Sequence, residues 1–232
     1  MHNWSRVHEY PYVFHHIKAA ADSRSPGTSL RIADVGSGVT FFPFALAKLG
    51  HSVTCVDNDP VCDRDLRNAI DAVSCNTGEV TSTLISDNAL PFADASFDVV
   101  YSISVIEHIP NFEETIDEIA RILKPGGLFV LTFDINLDRH ANRQLNPDQY
   151  ERLSNALAIA FKSRLPQRTI HPLDMLTPRN SRYPLQLSLT SSARWHAKRA
   201  LRELVHDNPK GLLGDPSANL TIFVAVLTRN AG

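Results

Sequence analysis

The segment Leu30–Phe41, LRIADVGSGVTF, constrains this chain more than any other. A short apolar run ends in Asp34-Val35-Gly36-Ser37-Gly38, and apolar residues from Phe41 to Leu49 then continue at helical length until Gly50 closes them. The pattern reads as strand, tight loop, helix. Glycines in such a loop let the backbone turn sharply and approach a ligand closely, and the following helix start favours negative charge such as a carboxylate. A dinucleotide fingerprint would need its third glycine at position 41, where Phe41 stands. A large ring there would obstruct helix–strand packing and the approach of a pyrophosphate, and Asp34 would repel its phosphates. The loop suits a ligand carrying an ammonium group.

The alternation continues along the chain. Ser52–Val56, Ser82–Ser86, Phe97–Ser102 and Leu128–Phe133 read as strands, separated by helices over Pro60–Ser74 and Asn111–Leu123. Short apolar strands joined by helices predict a parallel sheet with helices on both faces. A helix is expected over residues 7–22 and a turn-rich linker over Ser23–Ser29. After Asp134 the pattern breaks. Residues 136–190 read as an insertion, with a helix from about Pro147 to Ser163 and then Pro166, Pro172, Pro178 and Pro184. Ser191–His206 reads as a helix and Leu220–Thr228 as a last strand. The expected organisation is one domain over 1–232, with an N-terminal lid or helix (1–29), a ligand-binding core (30–135), the insertion, and a C-terminal helix and strand (191–232).

With 43% hydrophobic and 21% charged residues, the composition is that of an ordinary globular chain. No window approaches the roughly 18 apolar residues of a membrane span, and the polar, aromatic N-terminus lacks a leader's apolar stretch. A cytoplasmic protein without membrane contact is expected. Cys55, Cys62 and Cys75 show no C-x-x-C spacing, so neither a disulfide framework nor a metal site is expected. Residues 1–138 hold 9 Lys/Arg against 19 Asp/Glu, and residues 139–210 hold 13 against 5. The halves have different surfaces, with either separate partners or a solvated basic face behind the difference.

Asp57 closes the second strand, placed to accept two hydrogen bonds from a ribose diol. Asp87-Asn88-Ala89-Leu90-Pro91-Phe92 follows the third strand, then Phe97-Asp98-Val99-Val100, Glu107-His108 and Leu123-Lys124-Pro125-Gly126-Gly127. Together with Asp34–Gly38, these residues resemble, in order, the motifs of class I S-adenosylmethionine (SAM)-dependent methyltransferases, of the type 11-like subfamily. The resemblance covers about residues 30–135. It implies a Rossmann-like α/β fold with a seven-stranded, mostly parallel sheet and an antiparallel last strand, its sixth strand near Gln186–Leu189. It also implies SAM as cofactor. Asp34, Gly36, Ser37 and Gly38 would surround the methionine part. Asp57, with Asn58 beside it, would hold the ribose, and Asp87 and Asn88 would meet the adenine. Ser102 would border the cofactor through its backbone. Thr40 stands where many members carry another glycine.

SAM is already a strong electrophile, so such an enzyme mainly aligns donor and acceptor and excludes water. Where the acceptor must lose a proton, His108 is the first candidate base and Asp134 the second. Each has a plainer reading, His108 as a brace of the following loop and Asp134 as a rim residue. The resemblance makes the N-terminal segment a lid, with Arg6 on the methionine carboxylate and Tyr10 stacking nearby; the alternative is a packing helix. Arg143, Arg164, Arg168, Arg179 and Arg182, with His140, His171, Tyr150 and Tyr183, make an anionic acceptor one hypothesis for the insertion. The expected acceptor is a small metabolite or sugar methylated on oxygen or nitrogen. Nucleic acid is not an expected partner, because Ser102-Ile103-Ser104-Val105 replaces the Asn-Pro-Pro-Tyr type motif of base methylation. An RNA-modifying methyltransferase, a nicotinamide oxidoreductase and a SAM-binding protein without catalysis are the rivals.

Overall fold

A computed structural model describes residues 5–75, 77–136, 145–165 and 220–230. Seven strands form one sheet in the order β3-β2-β1-β4-β5-β7-β6. They are β1 (Arg31–Val35), β2 (Ser52–Asp57), β3 (Glu79–Leu84), β4 (Phe97–Ile103), β5 (Leu123–Asn136), β6 (Phe161–Ser163) and β7 (Leu220–Arg229). The first five run parallel to one another, whereas β7 runs antiparallel to both β5 and β6. The helices are α1 (Arg6–Asp22), α2 (Phe42–Ala47), α3 (Pro60–Ala72), α4 (Phe112–Ile122) and α5 (Pro147–Ala160).

Alternate residues of each strand face opposite sides, so the sheet builds two cores. Ile32, Val53, Cys55, Val99 and Val130 pack against Val13 and Ile17 of α1, Phe42 and Leu46 of α2 and Leu66 of α3. Ala33, Val35, Val100, Phe129 and Leu131 pack against Ile116 and Ile119 of α4 and Leu153 and Leu157 of α5. Every residue of β4 is buried, as expected for a central strand covered on both faces.

Two motifs of the resemblance prove to hold the frame. Asp98 accepts from Arg24 and Lys124 and from the Arg31 backbone N–H, at 2.7–2.9 Å, tying β4 to the starts of β1 and β5. Burial would push its carboxyl up, but these donors outweigh burial and hold it below the ordinary range.

Several boundaries differ from the sequence reading, and β5 extends from Leu123 to Asn136 rather than Leu128 to Phe133. β3 starts at Glu79, paired with Ser52, rather than at Ser82. The α2 helix spans only six residues, and Phe41 points outward, 64% exposed, so its ring does not wedge between helix and strand. Phe42, one residue on, enters the core instead. The helix expected to reach Ser163 ends at Ala160, because Phe161 turns extended, buries its ring and pairs with Arg229. Among the described residues the strand beside β7 is therefore Phe161–Ser163. The strand expected near Gln186–Leu189 and the helix over Ser191–His206 lie outside the described residues.

Candidate functional site

A cavity of about 340 Å³ opens beyond the carboxyl ends of β1, β2 and β4, where open α/β sheets bind ligands. Its centre is the loop after β1. Gly36 has φ +76°, and a Cβ there would lie 2.4 Å from Val105 Cγ1, so glycine is required twice over. The N–H groups of Gly36 and Ser37 donate to Val56 O at 2.8 and 3.1 Å, fastening the loop to β2. Gly38, at φ +53°, donates its N–H to Asp57 Oδ2 at 2.8 Å, and Asp59 N–H donates to Asp57 Oδ1 at 2.9 Å. Both oxygens are thus aimed by backbone donors, and each retains a lone pair for a ligand.

Asp34 lies at the inner wall, 4% exposed, and its Oδ2 accepts from the Tyr101 hydroxyl at 2.8 Å. Burial pushes this carboxyl up to about 7, against the lowering effect of the Tyr101 hydrogen bond. A cation arriving beside it would restore the charged form.

At the other end, Ile85, Asp87, Asn88 and Leu90 line the wall after β3, facing Thr115 of α4. Asp87 Oδ1 accepts from Ala89 N–H at 2.9 Å, and Asn88 Nδ2 donates to Glu114 Oε2 at 3.0 Å.

The α1 helix supplies a further wall. Arg6 Nη1 donates to Ile103 O at 3.0 Å and pairs with Glu9 Oε2 at 3.2 Å. The Tyr10 ring stacks on Phe42 (5.1 Å between centroids) and meets Phe41 edge-on (5.2 Å). Glu9 is fully buried, and its Oε1 accepts from Ser104 Oγ at 2.5 Å and Thr132 Oγ1 at 2.7 Å. Through it, α1 grips the ends of both β4 and β5. Ser104 itself sits at φ +51°, a conformation costly for a residue with a Cβ, at the cavity wall.

The cavity thus gathers Arg6, Tyr10, Asp34, Gly36, Ser37, Gly38, Asp57, Asn58, Asp87, Asn88 and His108. His108 stands exposed on the short turn Ile106–His108 after β4. Two expected residues are not among the described lining. Ser102 is fully buried and donates to Val35 O at 3.0 Å, supporting the glycine loop from behind. Asp134 lies deeper, beside Glu107, whose Oε1 accepts the Asp134 N–H at 3.1 Å. Burial raises Glu107 to about 8 and Asp134 to about 7, and Glu107 Oε2 and Asp134 Oδ1 are buried without a hydrogen-bond partner among the described residues. Sequence reasoning missed Tyr101, Thr40 and Phe42 as wall residues and Glu9 as the anchor of α1 on Ser104 and Thr132. A tyrosine in a buried strand signals only core. A buried carboxylate bonded 95 and 123 residues away leaves no local trace.

Residues 33–131 match the methyltransferase domain family. This segment belongs to that family. An uncharacterized methyltransferase of Mycobacterium leprae is 33% identical over 126 residues, which is 54% of this chain and 45% of that protein. The match therefore spans less than half the length of that curated relative. A candidate sarcosine dimethylglycine methyltransferase from Galdieria sulphuraria has a similar structure (TM-score 0.64, 16% identity, 97% of this chain and 86% of that one). The cyclase SpnF does so as well (TM-score 0.63, 16% identity, 93% and 80%). At such identity these likenesses show the fold. The family implies S-adenosylmethionine as cofactor. Among the described residues no helix is long and apolar enough to cross a membrane.

Proposed function

We propose that this protein transfers a methyl group from SAM to an oxygen or nitrogen of a small metabolite or sugar. One observation carries the reading: Asp34, Asp57 and Asp87, from the ends of β1, β2 and β3, surround one hollow. Their number and chemistry suit the three polar parts of such a ligand. The buried Asp34 suits the ammonium of its amino-acid end, and Arg6 suits the neighbouring carboxylate. Asp57, held by two N–H donors, suits the ribose diol, and Asp87 with Asn88 suits the adenine edge. The same groups suit NADH poorly, because Asp34 would face its pyrophosphate.

When bound, SAM supplies an electrophilic methyl group. The chain's residues then align and desolvate. Ser104 and Val105 form the wall at the end of β4, and Arg6 and Tyr10 of α1 cover the amino-acid end, excluding water. His108, at the rim on the turn after β4, takes the acceptor's proton where one must leave. Asp134 acts from behind as a buttress rather than at the reacting atoms. The anionic-acceptor hypothesis draws on arginines mostly outside the described residues, and the described surroundings of the β4 and β5 ends are acidic. A cytoplasmic setting completes the reading.

Isothermal calorimetry with SAM, S-adenosylhomocysteine (SAH) and NADH tests it. Micromolar uptake of the first two and none of the third is expected; the reverse would overturn it. Methyl transfer to a panel of neutral, cationic and anionic acceptors, with RNA as one arm, then assigns the acceptor class.

A further inference from the structure

The wall that carries Asp87 and Asn88 is an irregular loop. β3 ends at Leu84 on the edge of the sheet, and residues 85–96 reach β4 with no strand pairing of their own. An unpaired loop cannot fix a base-reading edge by itself, because selectivity among purines needs donors and acceptors held to within fractions of an ångström.

Helix α4 supplies the missing support along a single stripe. Glu114, Glu118 and Arg121 stand at i, i+4 and i+7, which places them on one face. Arg121 Nη2 donates to Leu90 O at 2.8 Å, and Arg121 Nη1 donates to Phe92 O and to Asp94 Oδ1, both at 2.7 Å. Glu118 Oε2 accepts the Leu90 N–H at 2.8 Å, while Arg121 Nε and Nη2 bind the same carboxylate at 2.7 and 2.8 Å. The Arg121 carbonyl accepts from Ala95 N–H at 3.0 Å, and Ala95 sits at φ +53°, a strained conformation that this bond helps hold. The loop is thus gripped at Leu90, Phe92, Asp94 and Ala95 by one arginine and one glutamate, and Glu114 holds Asn88. Arg229 of β7 donates in turn to the carbonyls of Arg121 and Leu123, anchoring the clamp's own end. A planar guanidinium with five donors can bridge two carbonyls and two carboxylates at once; a lysine cannot.

We infer that Arg121 and Glu118 are positioning residues that act through the Leu90–Phe92 turn to set the Asp87–Asn88 edge, and so select a purine bearing a 6-amino group. This rests on the proposed SAM site. The clamp touches no ligand. It fixes where an acceptor carboxylate stands, so that an exocyclic amine is met and a 6-oxo group is repelled.

The test compares binding of SAH with binding of S-inosylhomocysteine, whose purine carries a 6-oxo group and an N1–H in place of the 6-amino group and bare N1. Calorimetry is run on wild type, Arg121→Ala, Arg121→Lys, Glu118→Gln and, as a surface control, Arg64→Ala, with thermal midpoints for each. Wild type and the control should prefer SAH by about 10-fold or more, the discrimination expected from one hydrogen-bonding group. Arg121→Ala and Glu118→Gln should reduce that ratio to below about 3-fold, with Arg121→Lys between, in proteins that still melt cooperatively. If Arg121→Ala does not fold, Glu118→Gln and Arg121→Lys decide the matter. Equal weakening toward both ligands, or an unchanged ratio, would overturn the inference and leave the SAM site standing. A wild type that binds SAH without preference would also overturn it. No SAH binding at all would strike the underlying reading instead.

Discussion

The carboxylates of this protein fall into two groups with opposite settings. Around the cavity, Asp57 and Asp87 accept hydrogen bonds from neighbouring backbone N–H groups and still line the hollow. Beneath the ends of β4 and β5, Glu9 is spent on Arg6, Ser104 and Thr132, and Glu107 and Asp134 each bury one oxygen that has no hydrogen-bond partner among the described residues. The first group is preorganised to meet hydroxyls and amines. The second spends its bonding on protein or holds protons through burial. One side chain type thus makes a recognition surface in one place and a latch in another, and the surroundings decide which.

The largest blow to the recognition side should come from Gly36→Val, which adds a clash with Val105 to a forbidden φ. Loss of SAH binding by about 100-fold or more is expected by calorimetry, equivalent to about 2.7 kcal/mol. Asp57→Ala should weaken SAH by about 10- to 100-fold, the worth of one or two hydrogen bonds to a charged group. A loss below two-fold would remove Asp57 from the recognition group.

Asp34 stands between the two groups, because it lines the cavity yet is buried. Held at about 7, it is mostly protonated at pH 6 and must lose that proton to meet an ammonium. SAH affinity should therefore rise about ten-fold from pH 6 to pH 8, following the ionised fraction. Asp34→Asn should bind weakly at both values with a flat profile.

The latch side makes the smallest prediction, read in stability. Glu107 keeps its proton up to about 8 when folded but loses it near 4.5 when unfolded. Between these values the folded state binds more protons, so its stability contribution is complete below pH 4.5 and is lost as pH rises through 8. Asp134 behaves alike between 3.8 and about 7. Glu107→Gln should melt close to wild type at pH 5 and a few degrees above it at pH 8.5 in a thermal scan. Equal midpoints at both pH values would place Glu107 among the ordinary surface acids.

The placement of the cavity carboxylates was legible in the chain. Asp34, Gly36, Asp57 and Asp87 each stand at the end of a strand that hydrophobic patterning marks, so topology alone carries them to one edge of the sheet. The latch side was not. Glu9, Glu107 and Asp134 come from α1, the turn after β4 and the end of β5. Their meaning depends on a helix crossing over two strand ends. The expected second base, Asp134, shows the limit: its place near the end of β5 was readable, but its depth was not. Phe41 shows another, since the ring expected to crowd the helix points to solvent while Phe42 turns inward. A helix start one residue later rotates the apolar face by about 100°.

The sequence by itself determined the alternation of strands and helices, the glycine turn after β1 and the carboxylates at three strand ends. These follow from local periodicity and from the φ that only glycine adopts freely. Tertiary structure alone decided that Phe161–Ser163 would complete the sheet, that Glu9 would lock α1 to β4 and β5, and that Arg121 would hold the Asp87 loop. Each of those depends on partners from 26 to 123 residues away in the chain. Sequence spacing carries no signal of such partners, because hydrogen bonds and burial are set by distance in space.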